Sequence, residues 1–256
     1  KGKSKKEFAD IMKKSGLEEP AKPYNVKIEF SPVPSIKGNL ISVQDLSFSY
    51  DDKQIFDSVN FGIDIDSRIT LVGKNGVGKS TLLKLIMGDE KPMDGYITKH
   101  NSLRIGYYHQ HFEKFLPKDK TPVEYLESKV PDGLKTGTPE QTVRKYLGTM
   151  KLESQAHTSL IGNLSGGQKA RVALISIIFD QPHLILMDEP TNHLDIESVE
   201  ALIEGLQSYD GGLVVITHEP ELITNLESEL WILRNSKIEA YNNTFEEYCN
   251  SIIDNE

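Results

Sequence analysis

The sequence predicts an α/β fold with a core of parallel β-sheet, an antiparallel β subdomain and an inserted α-helical subdomain. Apolar and polar residues alternate with period two over much of residues 45–65, as in antiparallel strands with one exposed face. Short apolar runs at residues 69–72, 184–187 and 213–216 are typical of buried parallel strands. Residues 112–180 carry mainly helical and loop patterns, which predict the helical subdomain.

The first 38 residues read as a linker in front of the folded domain. Residues 1–19 predict a helix, which Pro20 and Pro23 end. Further prolines predict a stiff, extended connection after it. We therefore expect a basic linker over residues 1–38 and one domain over residues 39–256. Because the chain begins without an initiator methionine, we also expect it to be part of a longer protein.

Composition limits the class of protein. Apolar residues make up 38% of the chain, enough for a sizeable core. The single cysteine excludes an internal disulfide and fits a reducing compartment. No apolar run approaches the roughly 20 residues that a membrane span needs, and no signal-peptide core follows the N-terminus. These features predict a cytoplasmic protein without a membrane domain.

Charge is spread unevenly along the chain. Residues 1–27 hold eight lysines and four acidic residues, a net charge of +4. Because the whole chain has a net charge of −9, the remaining residues carry −13. A basic arm on an acidic body indicates an anionic partner for the arm alone. The alternative is a lysine-rich linker helix that is simply solvated.

The strongest motif is Gly-Lys-Asn-Gly-Val-Gly-Lys-Ser at residues 73–80, which fits the phosphate-loop pattern. A buried strand precedes it, and a helical pattern follows until Gly88. Glycines let backbone N–H groups turn toward phosphate oxygens, and the helix N-terminus adds partial positive charge. The predicted nucleotide-binding residues here are Gly73, Lys74, Asn75, Gly76, Val77, Gly78, Lys79, Ser80 and Thr81. Lys79 would contact the β- and γ-phosphates, and the Ser80 hydroxyl would bind Mg²⁺.

A second motif is the apolar strand that ends in two carboxylates, Asp188 and Glu189. Asp188 can hold Mg²⁺ through water. Glu189, one residue further, can accept a proton from the water that attacks the γ-phosphate. The alternative is that Glu189 only caps the turn at Pro190.

A third motif, Leu-Ser-Gly-Gly-Gln at residues 164–168, precedes an apolar helix. Its residues Ser165, Gly166, Gly167 and Gln168 form a second anion-binding helix start. One nucleotide does not need two such sites in one domain. The pattern therefore indicates a sandwich, in which this site closes over ATP bound to another domain.

Together these motifs resemble the ATP-binding cassette superfamily of phosphate-loop NTPases, in their order and spacing over about residues 40–241. The resemblance implies ATP and Mg²⁺ as ligands and a paired cassette, either upstream in the same chain or a second copy. It also implies that Gln110 binds Mg²⁺, Asp195 lies at the dimer interface, and His218 contacts the γ-phosphate. It makes Tyr50 the residue that stacks on adenine, although in a strand such a tyrosine could instead face the core.

A narrower resemblance is to the ABC-F subfamily, which carries two cassettes on one chain, lacks a membrane domain and acts on ribosomes. Asn192-His193-Leu194-Asp195 stands where transport cassettes usually have Ser-Ala-Leu-Asp. Phe61–Ser67 and Ile105–His111 resemble the second cassette of eukaryotic members, whose linker would touch ribosomal RNA or tRNA. A role in ribosome assembly would add a nuclear or nucleolar location. The main alternative is the ATPase subunit of a membrane transporter; a scaffold that barely hydrolyses ATP fits less well, because Glu189 and His218 are both present.

One feature departs from the family pattern. The residue after the switch histidine is usually aspartate, whereas here His218 is followed by Glu219 and Pro220. Because the proline restricts the backbone of the turn, it could change the orientation of His218.

Overall fold

The computed structural model describes residues 26–33, 36 and 38–253. Among these residues the strands are β1 (Ile41–Tyr50), β2 (Lys53–Ile63), β3 (Arg68–Val72), β4 (Asp94–Lys99), β5 (Ile105–Tyr108), β6 (Leu184–Asp188), β7 (Gly212–Ile216), β8 (Glu229–Arg234) and β9 (Lys237–Tyr241). The helices are α1 (Lys79–Met87), α2 (Pro122–Glu127), α3 (Pro139–Thr149), α4 (Ser154–Thr158), α5 (Gly166–Asp180), α6 (Ile196–Gln207), α7 (Pro220–Asn225) and α8 (Phe245–Ile253). The helix predicted over residues 1–19 lies outside the described part of the chain.

The central sheet has the strand order β5-β6-β7-β3-β8-β9. Its neighbouring strands run parallel, except that β9 returns antiparallel to β8. The predicted strands at residues 69–72, 184–187 and 213–216 are its adjacent central members β3, β6 and β7. The prediction of a parallel core is confirmed, and the carboxyl ends of these strands meet at one edge.

Alternate residues of the central strands face two different apolar clusters. Ile185 and Met187 pack with the helices that follow residue 112, whereas Leu184 and Leu186 pack with α1 and the antiparallel sheet. The sheet is thus covered on both faces, which explains why β6 and β7 are uninterrupted apolar runs.

A smaller antiparallel sheet has the order β2-β1-β4. Leu46 and Phe48 of β1 and Val59 and Ile63 of β2 are buried, as the period-two pattern predicts. Left-handed residues Asp45 and Ser58 (φ 48° and 46°) accompany shifts in the register between the two strands.

Helices α2 to α5 lie within residues 122–180, with a short 3₁₀ turn between α2 and α3 and another between α4 and α5. Capping boxes start three of them: the side chains of Thr121, Thr138 and Ser165 each accept from the backbone N–H three residues on. The caps explain why these short helices begin where they do.

The packed structure begins earlier than residue 39. Val26 and Ile28 are 6% and 4% exposed, and both belong to the apolar cluster formed by α3, α5 and α6. The end of the predicted linker is therefore built into the domain.

Candidate functional site

The phosphate loop lies between β3 and α1, where its glycines adopt a backbone that other residues resist. Gly73, Gly76 and Gly78 have φ of 157°, 73° and 119°. A Cβ on Gly78 would lie 2.3 Å from Ile55 Cγ2. Only glycine fits there, so the loop can curl tightly before α1 begins at Lys79.

Lys79 folds back over this loop. It is 7% exposed, and its Nζ donates to the Gly73 carbonyl at 2.6 Å and the Lys74 carbonyl at 3.2 Å. Burial lowers the pKa of Lys79, while the nearby carboxylates of Glu189 and Asp188 oppose that shift. The amine is thus held at the loop with negative charge beside it.

Asp188 ends β6 and is 3% exposed. Burial raises the pKa of its carboxyl group, and a hydrogen bond from the Ser80 side chain opposes the shift. Its Oδ1 atom makes no hydrogen bond to any residue that the structure describes. A buried carboxylate oxygen without a partner, beside a serine hydroxyl, fits a hard cation such as Mg²⁺.

Glu189 and His218 face each other at the same edge of the sheet. Glu189 is left-handed (φ 51°), and its backbone N–H donates to the Ile216 carbonyl at 2.8 Å. Its Oε1 lies 3.5 Å from His218 Nε2. Burial and the charge of Asp188 raise the pKa of Glu189, whereas burial and the charge of Lys79 lower the pKa of His218. Both shifts favour the uncharged form of each group.

Pro220 does not distort this arrangement. It is the first residue of α7, a position where proline is favoured because that N–H has no partner in the helix. The backbone N–H of Glu219 donates to Thr217 Oγ1 at 3.0 Å. The two residues that depart from the family pattern therefore form the N-cap and the first position of α7.

Tyr50 stands at the mouth of a groove of about 230 Å³ beside the phosphate loop. The groove is lined by Tyr50, Lys53, Ile55, Gly76, Gly78, Lys79, Ser80 and Thr81. Tyr50 is 39% exposed and its hydroxyl donates to Glu90 Oε1 at 3.1 Å, so it does not face the core. Asn75 is exposed at the tip of the loop. A larger cavity of about 410 Å³ lies behind the loop against α8, but Lys79 is not among its lining residues, so the smaller groove is the candidate site.

Gln110 lies two residues beyond β5, which pairs with β6 in the sheet. It is exposed at the edge where β6 ends in Asp188. Gln110 therefore lies at the same carboxyl edge of the sheet as the phosphate loop, just before the helical region.

The remaining predicted residues form a second group. Ser165 caps α5, with Gln168 N donating to Ser165 Oγ at 3.3 Å and Gln168 Oε1 accepting from Ser165 N at 3.0 Å. A Cβ on Gly167 would lie 2.9 Å from the His193 carbonyl oxygen, and a Cβ on Gly166 would lie 3.4 Å from Nδ1 of the His193 ring. The second anion-binding helix start therefore packs on the residues that precede Asp195.

Asp195 caps α6 by accepting from Ser198 N at 2.9 Å, and it also pairs with Arg171 of α5. The following residue, Ile196, is 78% exposed. The N-termini of α5 and α6 are thus joined into one surface. Arg171 and His193 were missed as site residues by sequence reasoning, because their contacts cross between separate motifs.

Comparison with known proteins decides the family. A family model described as ABC transporter matches residues 56–192, more than half of the chain. The chain belongs to the ABC transporter family. Within that family it is an ABC-F cassette, as the Asn192-His193 motif predicts and as its relatives indicate.

Two relatives and one solved structure illustrate the similarity. ABC transporter F family member 3 of Arabidopsis thaliana is 41% identical over 225 residues, which cover 87% of this chain and 31% of the relative. ATP-binding cassette sub-family F member 2 of Bos taurus is 40% identical over 238 residues, covering 92% of this chain and 37% of the relative. A solved dimeric ATP-binding cassette in a post-hydrolysis state with ADP and Pi has a TM-score of 0.64 at 24% identity, covering 80% of this chain and all of its own, and shows the fold alone.

The chain spans only about a third of the length of these two relatives. In the part of the chain that the structure describes, no helix has the length and apolar character to cross a membrane.

Proposed function

We propose that this ABC-F cassette hydrolyses ATP with Mg²⁺, using Glu189 as the general base, when it is paired with a second cassette. The observation that carries the proposal is the convergence of Lys79, Ser80, Asp188, Glu189 and His218 at the carboxyl edge of the parallel sheet. Parallel α/β sheets bind ligands at this edge.

The residues divide the chemistry among them. The N–H groups of the phosphate loop and Lys79 would hold the β- and γ-phosphates, while Tyr50 stacks on adenine. Ser80, Asp188 and Gln110 would hold Mg²⁺, which when bound neutralises phosphate charge. The raised pKa of Glu189 brings it nearer to that of a base working at neutral pH. His218, kept uncharged, would hydrogen-bond to the γ-phosphate or the attacking water.

Pairing is proposed from the second group of residues. Gly166 and Gly167 offer N–H groups at the start of α5, which the capping box between Ser165 and Gln168 holds in place. The two glycines lie against the loop before Asp195. That surface would close over ATP held by the partner cassette. The partner would be either a second cassette in the same protein or another copy of this chain.

The basic arm supports a ribosomal partner. The arm carries +4 on an otherwise acidic chain, and the ABC-F resemblance implies action on ribosomes. We propose that the arm contacts ribosomal RNA or tRNA, in the cytoplasm. An anionic RNA backbone is the partner that such an arm would bind and that the acidic body would repel.

Replacing Glu189 by glutamine tests the catalytic assignment. The variant keeps the shape of the side chain but cannot accept a proton, so turnover should fall about 10²- to 10⁴-fold. Mg-ATP affinity, measured by calorimetry, should stay close to that of the parent. Glu200→Gln, an exposed carboxylate on α6, is the control and should retain full activity. Parent-like turnover of Glu189→Gln would exclude Glu189 as the base.

A further inference from the structure

Residues 26–30, named the strap here, form an extended segment whose residues alternate between two environments. Val26 and Ile28 are buried in the core, and Phe30 packs with its ring 5.4 Å from that of Tyr209. Lys27 and Glu29 face outward, where each side chain is 67% exposed and the two form an ion pair at 2.6 Å. The strap therefore lies in the surface of the domain with one apolar face turned toward the core.

Two different parts of the domain hold the strap. On one side, the backbone N–H of Lys27 donates to the carbonyl of Thr149, the last residue of α3, at 3.1 Å. On the other side, the Ile28 carbonyl lies so close to α6 that a Cβ on Gly205 would be only 2.6 Å from it. The strap is thus wedged between the helical region and α6, and Gly205 is the residue that leaves room for it.

The strap also shares a cavity with α5. Lys27, Glu29 and Ile178 line one small cavity of about 80 Å³, and Ile178 lies in the last turn of α5. The strap consequently contacts α6 and lies across a small cavity from α5, the two helices whose N-termini carry Asp195 and Ser165. Those N-termini are joined by the ion pair between Arg171 and Asp195.

We propose that the strap positions α5 and α6 for pairing with the second cassette, so that the state of the N-terminal arm and ATP-dependent pairing are coupled. The inference rests on the proposed pairing and adds Ile28 and Gly205 as positioning residues. Packed helices shift as units rather than deform, so a displaced strap changes how the two N-termini are presented. By linkage, pairing must in turn change the stability of the strap in its groove.

The test uses the Glu189→Gln chain, in which ATP-driven pairs would accumulate, with Gly205→Ala added. The new methyl group meets the Ile28 carbonyl and should loosen the strap. Gly148→Ala is the matched control, because it lies in α3 one residue before Thr149 and its Cβ would have no atom within 4 Å. Light scattering across a concentration series with Mg-ATP gives the dissociation constant of the pair, and hydrogen exchange reports on the Lys27 amide.

We expect Gly205→Ala to weaken pairing at least about fivefold, the lower range of typical coupling between sites. Exchange of the Lys27 amide should become faster. ATP affinity and the melting temperature of the domain should remain close to those of the control. In the chain without Gly205→Ala, adding Mg-ATP should slow exchange at Lys27. Ile28→Ser should act as Gly205→Ala does, and Ile28→Val should restore pairing, which separates positioning from general instability.

Two results would overturn the proposal in different ways. If Glu189→Gln pairs with Mg-ATP but Gly205→Ala and Ile28→Ser loosen the strap and pair equally well, the strap only covers the core. If Glu189→Gln itself never pairs, the proposed function fails and the coupling fails with it.

Discussion

At the scale of single residues, the site holds a buried amine, a buried carboxyl group and a partly exposed one within one small region. Burial pushes Lys79 toward its neutral form and pushes Asp188 and Glu189 toward theirs, while the opposite charges restrain these shifts. Lys79 and the two carboxyl groups therefore favour one another's charged forms, whereas the charge of Asp188 disfavours the charge of Glu189.

Lys79→Ala should weaken Mg-ATP binding, because the variant removes the amine that lies against the Gly73 carbonyl at the phosphate loop. Isothermal calorimetry would measure the loss, which we expect to be at least about tenfold, or roughly 1.4 kcal/mol. Lys118→Ala, at an exposed position in the helical region, is the control for loss of one positive charge. Unchanged affinity of a folded Lys79→Ala chain would show that the loop does not bind nucleotide through this residue.

The backbone conformation of the phosphate loop could be predicted from the sequence, because its glycines stand where the curled loop needs positive φ angles. Gly73, Gly76 and Gly78 are all left-handed, as a curled loop requires. The left-handed backbone of Glu189 could not be predicted, since it depends on a hydrogen bond to Ile216 in the neighbouring strand. The exposure of Tyr50 was likewise open, because a strand pattern gives two faces without saying which one a groove will use.

At the scale of elements, two helices begin with the same kind of capping box but lie in different parts of the molecule. Thr138 with Gln141 starts α3, and Ser165 with Gln168 starts α5. The two boxes have the same hydrogen bonds, yet only that of α5 lies beside Asp195, in the surface proposed for pairing. Similar local chemistry thus allows stability and function to be measured separately.

Ser165→Ala and Thr138→Ala should each lower the free energy of unfolding by about 1 kcal/mol, the usual value of a lost N-cap. Only Ser165→Ala should also lower ATP turnover, by at least about tenfold, because its hydroxyl would face the nucleotide of the partner. Denaturant unfolding and a steady-state ATPase assay on both variants make the comparison. Equal turnover of the two would remove Ser165 from the reaction.

Elements with a clear period were predicted from sequence, and those defined by distant contacts were not. The strand at residues 69–72, the helix closed by Gly88 and the antiparallel pair β1 and β2 all lie where their patterns indicate. The strap was read as part of a linker because prolines stand on both sides of it. Its alternation of Val26, Ile28 and Phe30 was the available signal, but its burial depends on Gly205, far along the chain.

At the scale of the whole molecule, the charge distribution separates an acidic body from a basic arm. Changing Lys5, Lys6, Lys13 and Lys14 to glutamine should weaken co-sedimentation with ribosomes and flatten its dependence on salt, since each lysine on a phosphate releases counterions. ATP turnover of the isolated chain should stay nearly unchanged, because none of these residues belongs to the nucleotide site. Equal pelleting of parent and variant across a salt series would leave the arm as a spacer.

The central claim is that one working site needs Glu189 from one cassette and Ser165 from another, and mixing two impaired chains tests it most directly. Glu189→Gln and Ser165→Ala each lack one half of the site, but a mixed pair holds one intact composite site. With half of random pairs mixed, we predict recovery of up to about one quarter of the parent ATP turnover. Turnover of the mixture no higher than the average of the two chains measured alone would contradict the account.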